Sequence, residues 1–327
     1  MGASLVYLES PNKEKHVQHG QNDNFSYGAC EMQGWRLGME DAVIANLDFD
    51  EDTSLFGVFD GHGGKEASQV VKDNYERILK EDSNYKDGDY QKGLYDSFKE
   101  TDVFLGSKTG KQQMKAVADS NPEAKNPLLK ILGEEAKDKP AGERDEESYM
   151  LDSKGCTANV VLIKGSAIYC ANAGDSRCVL SREGKAVNLS EDHKPENDIE
   201  RERIRKAGSE IVDGRVDGNL NLSRSLGDLK HKQKLGLTPE EQPITCVPDI
   251  AVDKIKPGDD FIVMACDGIW EVKSSQDVVD FISERLKKDM KLTDIIGELF
   301  EDIISPDYTA TQGLGCDNMS CIIIKLR

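Results

Sequence analysis

The chain predicts an α+β fold in which antiparallel sheets are covered by helices. Three observations carry that class. Strand-like apolar runs cluster in blocks with helices between them, without the steady strand–helix alternation of a doubly wound parallel sheet. One block, residues 156–190, divides short apolar runs with tight turns, as an antiparallel meander does. Elsewhere apolar residues recur at helical spacing with polar residues between them.

Taken in order, residues 55–59 form an apolar run that leads into Asp60. Residues 65–80 read as a helix with Val71, Tyr75, Ile78 and Leu79 on one face. From 81 to 147 the chain turns polar: residues 108–115, Pro122, Pro127 and the charge-rich 134–147 predict an elaborated connection with helical pieces and a mobile loop. In the meander, runs at 158–163, 167–171 and 178–180 are bounded by the turns Lys164-Gly165-Ser166, Gly174-Asp175-Ser176 and Arg182-Glu183-Gly184. Residues 261–265 are a strand-like run ahead of Asp267. Ser274-Ser275-Gln276-Asp277 resembles a capping box before Val278, Ile282 and Leu286. Residues 294–304 repeat Ile295, Ile296, Leu299, Phe300, Ile303 and Ile304 along a helix, and 322–324 make a final strand after Asp317.

With 327 residues and 37% apolar content the chain can bury a sizeable core, in one large domain or two medium ones. Lys and Arg total 42 against 61 Asp and Glu, a net charge of -19, which repels nucleic acid and anionic lipid. No apolar run is long enough to span a membrane and no secretory signal opens the chain. The expected compartment is the cytoplasm, with the nucleus as the alternative. Met1-Gly2 begins a myristoylation signal, but Val6 stands where that signal needs Ser or Thr. The eight cysteines include no C-x-x-C and mostly lie in apolar runs, so they read as buried hydrophobes in a reducing compartment.

The chemistry is carried by four acidic motifs: Met39-Glu40-Asp41, Phe59-Asp60-Gly61-His62-Gly63-Gly64, Ala265-Cys266-Asp267-Gly268 and Gly315-Cys316-Asp317-Asn318. Three of them sit at the edge of a strand-like run, where carboxylates from neighbouring strands can converge. An oxygen-only ligand set of this kind suits hard cations such as Mg²⁺ and Mn²⁺. Metal-assisted hydrolysis is the implied reaction.

These residues resemble the metal-dependent protein serine/threonine phosphatases of type 2C. The match runs from Met32-Gln33-Gly34-Trp35-Arg36 to Asp317-Asn318-Met319-Ser320. Between them stand, in order, Gly155-Cys156-Thr157-Ala158, Ala173-Gly174-Asp175-Ser176-Arg177, Asp192-His193-Lys194-Pro195 and Leu222-Ser223-Arg224-Ser225-Leu226-Gly227-Asp228. The resemblance implies two stacked antiparallel β-sheets forming a sandwich, flanked by helices on both outer faces, with metals in a cleft at one end. It implies a single catalytic domain over 1–327 with a polar, charged insertion at about 108–147, acting as a monomer on phosphoprotein substrates.

Carried onto the matching positions, the resemblance has Asp60 bridging two Mg²⁺ or Mn²⁺ ions. The backbone carbonyl of Gly61 and the carboxylates of Asp267 and Asp317 complete the sphere, and Glu40 acts through bound water. Arg36 is the phosphate clamp and His62 the general acid in an in-line attack by a metal-bridging water or hydroxide. Asp175 is a candidate ligand of a third ion, with Glu271 standing where family members carry aspartate. Arg224 and Asp228 are expected to organise the cleft or its flap through a salt bridge, and Lys230-His231-Lys232-Gln233-Lys234 reads as a solvated basic loop.

Two other enzymatic or binding readings fit single motifs. Cys30 and Arg36 match the C-x5-R of cysteine phosphatases, but Glu31 and Trp35 crowd a loop that must offer small residues and backbone amides. Residues 48–52 suggest a calcium loop, yet Thr53 replaces its glycine and Phe59 its bidentate glutamate. A catalytically dead scaffold of the same fold would lose metal ligands that this chain keeps.

Overall fold

A strand that is apolar at every position needs cover on both faces. The computed structural model, which describes residues 7–120 and 146–327, supplies it with four layers. In chain order the strands are β1 (Tyr7–Gln21), β2 (Phe25–Arg36), β3 (Ala42–Asp50), β4 (Thr53–Phe59), β5 (Gly61–His62), β6 (Gly155–Cys156), β7 (Ala158–Lys164), β8 (Ala167–Ala173), β9 (Arg177–Arg182), β10 (Lys185–Asn188), β11 (Ile211–Val212), β12 (Arg215–Val216), β13 (Leu226–Gly227), β14 (Asp249–Lys254), β15 (Asp259–Ala265) and β16 (Met319–Leu326). One large sheet has the order β1-β2-β16-β15-β9-β10 and the other β14-β8-β7-β4-β3. All their pairings are antiparallel.

The period-2 alternation of each strand divides its side chains between two cores. Phe56 and Val58 of β4 join Ile262 and Met264 of β15 and Ile322 and Ile324 of β16 between the sheets. Leu55 and Phe59 turn outward to Val71, Tyr75 and Leu79 of the Glu66–Glu81 helix. On the opposite outer face Phe261, Val263 and Ile323 meet Val278 and Ile282 of the Ser275–Leu286 helix and Ile295, Leu299 and Phe300 of the Leu292–Ile303 helix. The expected sandwich with helices on both faces is therefore present. Ser274 and Asp277 form the predicted reciprocal cap.

The polar stretch after residue 81 contains more of the fold than its composition suggests. Leu94, Phe98 and Leu105 of the Tyr90–Gly106 helix, with Met114 of the Lys108–Ser120 helix, are buried in the outer core over β4 and β7. The mobile loop expected from Pro122, Pro127 and the charged run falls mainly on 121–145, outside the described residues.

Strand register gathers the connecting loops at one end. Ala42 lies opposite Phe59 and Ala158 opposite Ala173 in one sheet. In the other, Met319 lies opposite Met32, and Ala265 opposite both Cys321 and Arg177. The segments that follow β2, β4, β8 and β15 and precede β3, β9 and β16 thus emerge side by side, and Ser320 Oγ bridges the sheets by donating to Asp41 Oδ2 at 2.7 Å.

Candidate metal centre

Asp60 enters the cleft directly from β4. Its N–H donates to Thr157 Oγ1 at 3.2 Å and its carbonyl accepts from Thr157 N–H at 2.8 Å, so the β4–β7 pairing sets its position. The next residue must be glycine, because a Cβ on Gly61 would overlap the Glu40 carbonyl. Asn318 ties the remaining loops together: its Nδ2 donates to the carbonyls of Gln33 (2.7 Å) and Gly38 (3.0 Å), and its Oδ1 accepts from Glu40 N–H at 2.9 Å. Asp267 opens the short Asp267–Trp270 helix after β15, and Asp175 occupies the turn between β8 and β9.

The structure brings the sequence-predicted residues into one electrostatic neighbourhood. Burial raises the Asp60 carboxyl well above its usual range, and the charges of Asp41, Asp267, Asp317 and Asp175 raise it further. Asp267 is raised in the same way, by burial and then by Asp175, Asp317 and Glu271. Glu40 is raised by burial against the pull of Arg36. Glu271, at the exposed mouth, is raised by desolvation and by Asp317 and Asp175, while Lys194 and Arg36 oppose it. Arg36 Nε meets Asp317 Oδ1 at 2.8 Å. Asp175 is buried and carries the ammonium of Lys194 on its Oδ2.

His62 stands at the side of this cluster with Nε2 2.6 Å from Asp228 Oδ2, an oxygen that also accepts from Ser225 Oγ at 2.6 Å. Burial alone would lower the His62 pKa; Asp228 outweighs it and the net direction is up. Asp228 is correspondingly lowered: its own burial is outweighed by His62, Ser225 and Lys232.

The donor set fits hard divalent cations. Asp41, Asp60 and Cys266 offer ligand atoms within 4.8 Å of one another, a grouping that includes sulfur. Burial holds the Cys266 thiol far above its usual pKa, and Sγ is engaged by Asn318 O at 3.5 Å and Ser320 N–H at 3.2 Å. Sulfur is moreover a soft donor, which hard cations take less readily than carboxylate oxygen. What remains is carboxylate oxygen, in a cluster where Glu40, Asp41, Asp60, Asp175, Asp267, Glu271 and Asp317 outnumber Arg36 and Lys194. Mutual repulsion of that kind is relieved by cations with oxygen preference, as Mg²⁺ and Mn²⁺ have.

Sequence reasoning missed three features here. Asp41 stands in a quoted motif, yet only the fold shows it buried next to Asp60, with its pKa raised to about 7 chiefly by desolvation. Lys194 likewise stood in a motif without a role. The third is a correction: Arg224 and Asp228 do not pair. Arg224 bonds Glu200 Oε1 at 2.7 and 3.1 Å and Asp249 Oδ1 at 2.7 Å, while β13, by pairing with β6 beside β5, carries Asp228 to His62. Nor is the basic loop wholly solvated, since Lys232 Nζ is held by Asp102 Oδ1 at 2.6 Å and the Ser225 carbonyl at 2.8 Å. Cys30 lies in the middle of β2 with its thiol pushed up to about 12 by burial, which removes it as a nucleophile.

Similarity to known proteins extends over nearly the whole chain. The family model described as "Protein phosphatase 2C" matches residues 25–121 and 106–311. The chain is 40% identical over 330 residues to "Probable protein phosphatase 2C 21" of Arabidopsis thaliana, covering 98% of this chain and 92% of that protein. It is 39% identical over 321 residues to "Probable protein phosphatase 2C 5" of Paramecium tetraurelia, covering 98% and 99%. Among solved structures, the serine-threonine phosphatase 2C of Toxoplasma gondii matches with a TM-score of 0.68 at 17% identity, over 98% of this chain and 99% of that one. At that identity the last match speaks for the fold alone.

Proposed function

The chain belongs to the protein phosphatase 2C family and is a serine/threonine protein phosphatase, and from that premise we propose that it hydrolyses phosphoserine and phosphothreonine in line at a centre of two Mg²⁺ or Mn²⁺ ions. The observation that supports this most directly is the raised, mutually repelling pair Asp60 and Asp267, set in an oxygen-only donor cluster beside Arg36 and His62. Asp60 would hold both ions, with the Gly61 carbonyl, Asp267 and Asp317 as further ligands and Glu40 acting through water. Asp175 and Glu271 are the residues for a third ion, which would compete with Lys194 for Asp175. Bound cations supply a water of lowered pKa for in-line attack and neutralise the phosphoryl oxygens.

The chain's own side chains do the rest. Arg36 spends its Nε on Asp317, leaving its terminal nitrogens to grip two phosphoryl oxygens and orient the phosphorus. His62 has its Nε2 on Asp228, so Nδ1 is the nitrogen that hands a proton to the departing serine or threonine oxygen. Asp228 favours the charged ring ahead of that transfer, and Ser225 holds the Asp228 carboxylate in place. The working unit we propose is a monomeric catalytic domain acting on phosphoproteins in the cytoplasm.

Phosphate release from a phosphothreonine peptide tests this reading. Added Mn²⁺ or Mg²⁺ should sustain it and EDTA should abolish it, whereas thiol alkylation should leave it intact. Full activity in EDTA overturns the two-ion centre.

A further inference from the structure

His62 is followed directly by Gly63 and Gly64, both at positive φ (73° and 130°). Two glycines in succession hold a turn only loosely, because each has more backbone freedom to lose than any other residue. A proton donor attached to such a turn needs a fastening from elsewhere in the chain.

Lys154 provides one. It precedes β6, the middle strand of the small sheet β13-β6-β5, in which Gly155 lies opposite both His62 and Gly227. The Lys154 carbonyl accepts from Asp228 N–H at 2.8 Å. Its ammonium donates to the Gly63 carbonyl. The same ammonium lies 3.7 Å from Glu66 Oε2, a buried oxygen without a hydrogen-bond partner among the described residues. Glu66 thus keeps the long side chain turned inward over Gly63, where an exposed lysine would sample many rotamers.

We propose that Lys154 is a positioning residue for His62, holding both halves of the His62–Asp228 pair: Asp228 through its carbonyl, and the turn behind His62 through its ammonium. The inference rests on His62 acting as proton donor to the leaving oxygen. A mispositioned donor slows esters whose alkoxide leaves poorly and has little effect on an aryl phosphate, whose phenolate departs unaided.

The test compares Lys154→Met, Lys154→Arg and His62→Gln on a phosphoserine peptide and an aryl phosphate at saturating Mn²⁺. Imidazole ¹⁵N–¹H spectra of the Mg²⁺ protein, which has five histidines, give a readout independent of turnover. Lys154→Met should lose about tenfold or more in kcat on the peptide and less than about threefold on the aryl ester, with the His62 signals displaced. Lys154→Arg should restore both. Lys154→Gln, uncharged and of shorter reach, serves if the Met variant does not fold. If His62→Gln shows the leaving-group split and the uncharged Lys154 variants lose equally on both esters, Lys154 has no positioning role. If His62→Gln itself shows no split, the proton-donor reading fails instead, and unmoved His62 signals in the Lys154 variants overturn the positioning role as well.

Discussion

At Asp60, burial and the charges of Asp41, Asp267, Asp317 and Asp175 all favour the neutral acid, so a bound divalent cation has more to stabilise there than at a solvated carboxylate. Asp60→Asn should therefore weaken Mn²⁺ binding by at least about tenfold in calorimetry and remove nearly all turnover; wild-type affinity in the mutant would contradict its place at the centre. Glu200 shows the opposite balance. Burial works against its ionisation, but bonds from Arg224 and Arg203 prevail and hold it at about 2, down from 4.5. Because the folded value lies below the unfolded one, the stabilisation, about 3 kcal/mol, is complete above about pH 4.5 and is lost as pH falls toward about 2. In urea unfolding, Glu200→Gln should lie about 3 kcal/mol below wild type at pH 7, and the gap should narrow below pH 4.5. A gap independent of pH would mean that the charge of Glu200 is not what stabilises this network. As candidates, Asp60, Asp267 and Asp317 were legible in the sequence because each stands in a motif at a strand edge, and Arg36 through the family resemblance of Gln33-Gly34-Trp35-Arg36. The partner of His62 was not, since Asp228 is 166 positions away and only strand pairing brings it near.

Among the elements, local chemistry was legible where it is self-contained. The Ser274–Asp277 cap needs only four neighbouring residues, and the stripe of residues 294–304 is apolar enough to stand out. The Lys108–Ser120 helix was harder to read: among its lysines and glutamines, Met114 is the one large side chain fully buried. Asn74 Nδ2 reaches Gln113 Oε1 at 2.7 Å and Lys111 Nζ reaches Asp152 Oδ1 at 2.7 Å, so the helix is held by contacts with distant segments. Met114→Ala should cost about 2–4 kcal/mol in unfolding while leaving turnover per folded molecule unchanged. A cost below about 0.5 kcal/mol would show that the helix is not part of the outer core.

For the molecule as a whole, cations that bind only the native cleft must stabilise it by mass action. Raising free Mn²⁺ to about a hundred times its dissociation constant should add about 2.7 kcal/mol per ion, seen as a rise in the thermal midpoint that EDTA reverses. A midpoint indifferent to both would argue against a metal centre in the native protein. The sequence by itself determined the α+β class, the strands and helices with strong periodicity, the carboxylate-rich character of the candidate metal site and the order of its motifs, because residue type and spacing along the chain suffice for these. The tertiary structure alone decided that Asp41 joins the cluster, that Lys194 covers Asp175, that Arg224 serves Glu200 and Asp249, and that Asp228 serves His62. Such pairings depend on antiparallel register and sheet stacking between segments far apart in the chain, and a charged residue read in sequence carries no record of which distant partner the fold will place beside it.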